Sequence, residues 1–246
     1  MKITVIGSWG AYPGPGEATS AYLLEEGETK ILLDCGSGVV SLLQKDHDLA
    51  SIDAVVLSHY HHDHIADIGI LQYSRVVDMN LDRTDQPLHI YAHQDDEQAF
   101  QQLGKKPYAE AFAYNDEEPL IIGPFTFSFH KTTHPAPCYG MKVQSPDDKL
   151  IVYTADTTYD ETFIPFLQNA DLLISECSFY EKQDAAPYGH MNSKEAATLA
   201  EKGQVKQLIL SHLPHFGTHE QLVKEAAGYY TGCIHLAKVG LTVTLN

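Results

Sequence analysis

The stretch Ser58-His59-Tyr60-His61-His62-Asp63-His64 constrains this chain more than any other. It follows the apolar, β-branched run Ala54-Val55-Val56-Leu57 and leads into Ile65-Ala66-Asp67-Ile68-Gly69-Ile70-Leu71, which reads as a helix running to about Val77. The cluster therefore sits on a turn between a buried strand and a helix start. In an extended turn His59 and His61 point to the same side and can share one cation. Asp63 and His64 follow as the chain enters the helix and face a neighbouring point. Imidazole nitrogen with carboxylate oxygen is a ligand set that zinc prefers and that also holds manganese or iron. A histidine-rich surface turn is the plainer account, but the order H-x-H-x-D-H favours metal binding.

Composition narrows what such a site can serve. The chain has 246 residues, enough for one large domain or two small ones, and its 43% apolar content with 10% aromatics is that of a globular fold. The amino-terminal Lys2-Ile3-Thr4-Val5-Ile6-Gly7 reads at once as a strand, and no stretch is long and apolar enough to span a bilayer. A soluble, cytoplasmic protein with no membrane partner is expected. Cys35, Cys138, Cys177 and Cys233 lie far apart without C-x-x-C spacing, so reduced thiols are expected, Cys138 as a small core residue despite its closeness to His134. Sixteen Lys+Arg against 33 Asp+Glu give a net charge of −17. A protein that grips long nucleic acid needs a basic surface, because phosphate neutralisation supplies most of the affinity. Long RNA or DNA is thus not expected as a ligand, and a small substrate is favoured.

Along the chain, acids and histidines recur at the ends of apolar runs. Ile31-Leu32-Leu33 ends in Asp34, for which a turn or helix cap is the local account. Phe125-Thr126-Phe127-Ser128-Phe129 alternates strictly, a half-buried strand with its rings toward the core, and leads to His134 before a proline. Met141–Val143 and Leu150–Tyr153 read as a hairpin whose second strand runs into Asp156, a carboxylate able to bridge two cations. Leu172–Ser175 ends in Glu176, and Gln207–Ser211 ends in His212. Strands are also expected at 20–25, 88–92 and 241–245, and helices at about 95–103, from Ser193 (a candidate N-cap) to Glu201, and from about His219 to Tyr230. Residues 105–118 are polar with scattered aromatics and read as an irregular cover over the site. No linker, repeat or low-complexity segment divides the chain, so one domain over residues 1–246 is expected.

The landmarks Asp34, His59–His64, His134, Asp156 and His212 resemble, in order, the signature of the metallo-β-lactamase superfamily, over nearly the whole chain. The resemblance implies an α/β fold, a four-layer αβ/βα sandwich. It implies one metal on His59, His61 and His134, a second on Asp63, His64 and His212, Asp156 bridging, and Asp34 orienting the ligands from below. His62 is the spacer, and His215 and His219 are rim residues. Two divalent ions, zinc or alternatively manganese, about 3.5–4 Å apart would hold a bridging hydroxide as nucleophile. Ser175-Glu176-Cys177-Ser178-Phe179 with His190-Met191-Asn192-Ser193 resembles the E-A-T-F and H-S-T segments of the ribonuclease Z branch. There a glutamate-backed histidine stands over the scissile phosphate, which implies catalytic roles for His190, Glu176 and Asp63. The interval from Asp156 to His190 is too short for the projecting arm by which ribonuclease Z grips transfer RNA, and Ile68-Gly69 departs from the family's usual glycine spacing, leaving Asp67 without a role. The best fit is a phosphodiesterase acting on a small or cyclic nucleotide. A thioester or lactone hydrolase of the same superfamily is the nearest rival, and a non-catalytic metal-binding regulatory protein is the rival of another class. Homodimer formation is left open.

Overall fold

Residues 1–246 are described by a computed structural model, in which the chain forms two compact units. The first comprises Met1–Asn115 with Lys238–Thr244. Its strands and helices are β1 (Lys2–Gly7), β2 (Ala21–Glu26), β3 (Thr29–Leu33), α1 (Val39–Leu43), β4 (Ala54–Val56), α2 (His62–Ile65), α3 (Ile68–Asn80), β5 (Leu88–His93), α4 (Glu97–Gln101) and β6 (Ala109–Tyr114). β1, β2 and β3 pair antiparallel, whereas β3, β4, β5 and β6 pair parallel. One row of side chains crosses this sheet in register, Leu23↔Leu32↔Val55↔Ile90, and packs with Val39 and Leu43 of α1 and Ile68 and Leu71 of α3. Burying each such side chain contributes about 1.5–3 kcal/mol, so this row holds the helices to the sheet.

The second unit comprises Asp116–Ala237 and the last two residues. Its elements are β7 (Leu120–Ile122), β8 (Phe125–Lys131), β9 (Tyr139–Gln144), β10 (Leu150–Tyr153), α5 (Ile164–Leu167), β11 (Leu172–Glu176), α6 (Ser193–Lys202), β12 (Gln207–Ser211), α7 (His219–Ala226) and β13 (Cys233–Leu236). The sheet order is β13-β12-β11-β10-β9-β8-β7. β10 to β13 pair parallel, and β9 runs antiparallel to both β8 and β10. Hence β8, β10, β11 and β12 all point the same way, and their carboxyl ends share one edge of the sheet. The row Val152↔Leu173↔Leu208 packs with Leu167, Ala196, Leu199 and Leu222 from the helices. Finally β14 (Thr242–Thr244) pairs antiparallel with β1 and completes the first sheet as β14-β1-β2-β3-β4-β5-β6.

Several sequence expectations are corrected. Residues 105–118 are not an irregular cover, because Ala109–Tyr114 forms edge strand β6, in register with β5 from Leu88↔Ala109 to His93↔Tyr114. An edge strand is half exposed, which blurred its alternation. The helix after the histidine cluster is broken: α2 ends at Ile65, and α3 starts at Ile68 and continues to Asn80. Ser193 is not the cap of α6. Asn192 is, in a capping box with Glu195, a device worth about 1 kcal/mol, while the Ser193 hydroxyl donates to Glu225. Strands β7 and β13 and helix α5 went unanticipated because each is three or four residues long. No helix is long and apolar enough to cross a membrane.

Candidate metal centre

In the first unit the parallel pair β3–β4 brings Asp34 and Ser58 side by side just past their strand ends. Asp34 sits at φ 58°, a left-handed conformation that aspartate tolerates better than most residues, and its N–H donates to Val56 O at 2.9 Å. Its carboxylate is buried and fully used. Oδ1 accepts from Ser58 N at 2.7 Å, and Oδ2 accepts from Ser58 Oγ at 2.8 Å and lies 2.7 Å from His64 Nδ1. Since Ser58 Oγ gives its proton to Asp34, it accepts from His59 Nδ1, 3.0 Å away. One buried carboxylate thus orients His64 directly and His59 through a serine, fixing both rings with the lone pair on Nε2.

The rings of His59 and His61 approach to 4.6 Å and those of His59 and His64 to 4.2 Å, so these three imidazoles converge; His61 and His62 are both exposed, but His62 belongs to no ligand group. Asp63 Oδ2 accepts from Ala11 N at 2.8 Å and lies 3.8 Å from His64 Nε2. The loop needs Gly36 beneath it: a Cβ there would come within 2.1 Å of the Asp63 carbonyl oxygen. Tyr114 of β6 donates to Leu57 O at 2.6 Å, so the edge strand steadies the start of the cluster. Asp67 accepts from Val40 N at 3.0 Å and ties the start of α3 to α1.

In the second unit, the common direction of β8, β10, β11 and β12 delivers His134, Asp156, Glu176 and His212 to one edge, the usual place for a site on such a sheet. His134 Nδ1 donates to Gly189 O at 2.9 Å, and His212 Nδ1 donates to Ser178 Oγ at 2.8 Å. The two oxygens of Asp156 face different rings, Oδ2 at 3.8 Å from His134 Nε2 and Oδ1 at 3.5 Å from His212 Nε2. Buried Glu176 accepts from Thr157 N (2.8 Å), Met191 N (3.2 Å) and Ser178 Oγ (2.9 Å), and its Oε1 lies 3.0 Å from His190 Nδ1. The His190 ring stacks on that of His212 at 5.2 Å and 29°, and Asp156, His190 and His212 each offer a ligand atom within 4.8 Å of the others.

These residues fit a divalent cation. With bonds of 2.0–2.1 Å, neighbouring ligand atoms of a tetrahedral zinc lie roughly 3.3 Å apart. The imidazole–carboxylate separations of 3.5–3.8 Å are too long for good hydrogen bonds and close to that edge. Nδ1 of His59, His64, His134, His190 and His212 is engaged in each case, the arrangement that presents Nε2 to a metal. The cysteines are not part of such a set. Cys35, Cys138 and Cys177 are buried, and burial, reinforced by nearby acids, pushes the Cys35 and Cys177 thiols well up, so both stay protonated. His219 lies outside the cluster with Nε2 2.8 Å from Pro214 O, and His215 belongs to no ligand group. The residues that sequence reasoning missed are Ser58 and Ser178. Their only signal is adjacency, Ser58 to a candidate ligand histidine and Ser178 to the strand-end acid Glu176.

Comparison with known proteins gives the family of the chain. A family model described as the beta-lactamase superfamily domain matches residues 29–213. The chain is 48% identical over 240 residues to the probable metallo-hydrolase YhfI of Bacillus subtilis, covering 98% of each. The crystal structure of YhfI, a metallo-beta-lactamase fold protein, superposes with a TM-score of 0.97 at 47% identity over 98% of each chain. The ribonuclease Z of Metallosphaera sedula is 24% identical over 280 residues, covering 92% of this chain and 93% of that one. A diphosphatase of the PhnP family matches in fold, with a TM-score of 0.77 at 18% identity, covering 100% of this chain and 98% of that one. With a family model across most of its length and a near-complete match to YhfI, the chain belongs to the beta-lactamase superfamily and has the metallo-β-lactamase αβ/βα fold expected from its sequence.

Proposed function

We propose that this protein is a dinuclear-metal phosphodiesterase acting on a small or cyclic nucleotide. As a member of the superfamily it is a metal-dependent hydrolase, and it carries candidate metal-binding groups of histidine and aspartate. In the proposed centre His59, His61 and His134 hold one cation, Asp63, His64 and His212 hold the other, and Asp156 bridges. The two units then build one functional domain. Such cations, when bound, act as Lewis acids on a phosphoryl oxygen and make water nucleophilic near neutral pH.

The observation that carries the phosphodiesterase reading is the Glu176–His190 pair. Glu176 is buried, held by two backbone amides and a hydroxyl, and spends its remaining contact on His190 Nδ1 at 3.0 Å. That contact keeps a proton on Nδ1, so a second proton, when the ring carries one, sits on Nε2. Nε2 is then a donor suited to stabilising a dianionic phosphorane or protonating a leaving alkoxide. A thioester leaves as a weakly basic thiolate with less need of such a donor, so the pair favours the phosphodiester over that rival. The relatives named ribonuclease Z and diphosphatase support phosphate chemistry, and the net charge of −17 favours a small substrate over long RNA.

Turnover of bis(p-nitrophenyl) phosphate against S-lactoylglutathione, with Zn²⁺ or Mn²⁺ added, tests this. Phosphodiester turnover well above thioester turnover is expected. The reverse order would establish the rival hydrolase, and turnover of neither, nor of any cyclic mononucleotide, would point to the non-catalytic metal-binding protein.

A further inference from the structure

A group of aromatic rings lies beside His190 in the second unit. Phe179 stacks on Tyr188 (5.4 Å between ring centres, planes 19° apart), meets Phe216 at 6.2 Å and 61°, and lies 6.4 Å from the His190 ring. Tyr180 packs against Phe216 at 5.7 Å. Although the rings form one group, Tyr188 is 63% and Phe216 47% exposed, the outermost rings on either side of Phe179.

Both exposed rings are held in place. Tyr180 Oη donates to Phe216 O at 2.9 Å, and Gly217, at φ 74°, leaves no room for a Cβ, which would fall 2.3 Å from that hydroxyl. Tyr188 ends a 3-10 turn at Ala186–Tyr188, closed by Tyr188 N to Ala185 O at 3.0 Å. The next residue, Gly189, is at φ 78°, and a Cβ on it would lie 2.3 Å from Pro135 Cδ and 2.8 Å from His134 Nδ1. The turn that carries Tyr188 is therefore pressed against a ligand histidine and supplies the carbonyl that orients it. Single exposed rings are ordinary, but neighbouring exposed rings held by fixed turns beside a site form the kind of contiguous apolar patch that marks a ligand surface. Protein offers these rings no further partner, whereas a planar heterocycle attached to a phosphate at His190 would.

We propose that Phe216 and Tyr188, backed by Phe179, form a stacking platform for the base of a nucleotide diester whose phosphate lies at His190. This rests on the phosphodiesterase reading and adds to it the residues that would hold the base. A π face reads no base edge, so the platform accepts purines and pyrimidines and discriminates nucleotides from diesters without a base.

The test is the KM of Phe216→Ala, Phe216→Leu and Tyr188→Ala on a cyclic mononucleotide and on a base-free cyclic ribose phosphate, with metal-loaded enzyme. Loss of a base–aromatic stack should raise KM for the nucleotide roughly 5- to 150-fold, with kcat changed far less and a much smaller rise for the base-free diester. Phe216→Leu, which keeps apolar bulk without a π face, should resemble Phe216→Ala, and Phe216→Trp should restore a low KM. Independently of turnover, base protons of a nucleoside monophosphate should move upfield in NMR titrations with the parent protein and less with Phe216→Ala. Equal rises for both diesters, or no ring-current shift, would overturn the platform and leave the phosphodiesterase reading standing. A change from dimer to monomer in light scattering, with nucleotide KM unaltered, would assign the rings to a contact with a second copy instead. Hydrolysis of neither diester would remove the reading and the platform together.

Discussion

The two units solve one orientation problem with the same parts on different backbones. In the first, Asp34 holds His64 directly and His59 through Ser58. In the second, Glu176 holds His190 directly and His212 through Ser178. Each unit thus has one buried carboxylate, one serine and two imidazoles. What differs is how the chain brings them together. The dependants of Asp34 lie within seven consecutive residues, so local backbone geometry places them. Those of Glu176 come from two loops, and only the parallel register of β11 and β12, Glu176↔Ser211, sets His212 beside Ser178. The compact loop depends on one strand pair, β3–β4, to meet its acid, whereas the dispersed residues of the second unit also depend on strand register to meet one another. The contrast can be broken or sharpened by substitution.

The largest effect is expected at Asp156, the one carboxylate whose oxygens face two different histidines. Asp156→Ala should lower metal content from about two ions per chain to one or fewer and abolish measurable turnover. Elemental analysis showing two ions in this variant would remove its bridging role. Next is His190. His190→Ala should keep its metals and melting temperature yet lower kcat for a phosphodiester by about 10²–10⁴, with Glu176→Gln giving a smaller loss in the same direction. Because His190 shares a ligand group with Asp156 and His212, metal loss in this variant would move it from acid to ligand.

The two serines test the equivalence itself. Ser58→Ala and Ser178→Ala should each weaken metal affinity by about 10-fold, the low end for an outer partner of a ligand histidine. A competitive chelator titration that finds one serine silent would show that the two relays are alike in geometry only. The smallest effect concerns His130, outside the centre, packed edge-on against Phe163 at 4.9 Å. Burial holds its imidazole below the ordinary value, with Asp160 and Asp116 opposing. As pH falls through about 6.5 the unfolded chain takes up this proton first, so the folded state loses stability from there toward the lower folded-state pKa. Melting curves of His130→Phe should therefore decline less than those of the parent between pH 7.5 and 5.5.

The same contrast explains what was legible in the sequence. The cluster His59–His64 announced itself because its candidate ligands are contiguous and follow a continuous buried strand. His134, Asp156 and His212 could be read only as polar residues ending apolar runs, a pattern that caps share, and the family resemblance alone singled them out as candidate ligands. Ser58 and Ser178 were hidden because serine beside a strand end is common and its partner acid lies 24 residues away in one unit and two in the other. Strand β6 was obscured by edge exposure, and the aromatic rings at Phe179, Tyr188 and Phe216 by a spacing that follows no helix or strand period.

The pairing of β14 with β1, Lys2 opposite Thr244, also sets an order of events during synthesis. Strand β1 leaves the ribosome long before β14 and waits for it before its outer edge is covered. Until then Lys2–Gly7 presents a row of open amides and carbonyls, the template on which nascent chains join edge to edge. The second unit, whose sheet contains no strand from either end of the chain, can complete itself meanwhile. Removal of residues 242–246 would make that temporary opening permanent, so loss during expression should grow with growth temperature although no candidate metal ligand has been touched.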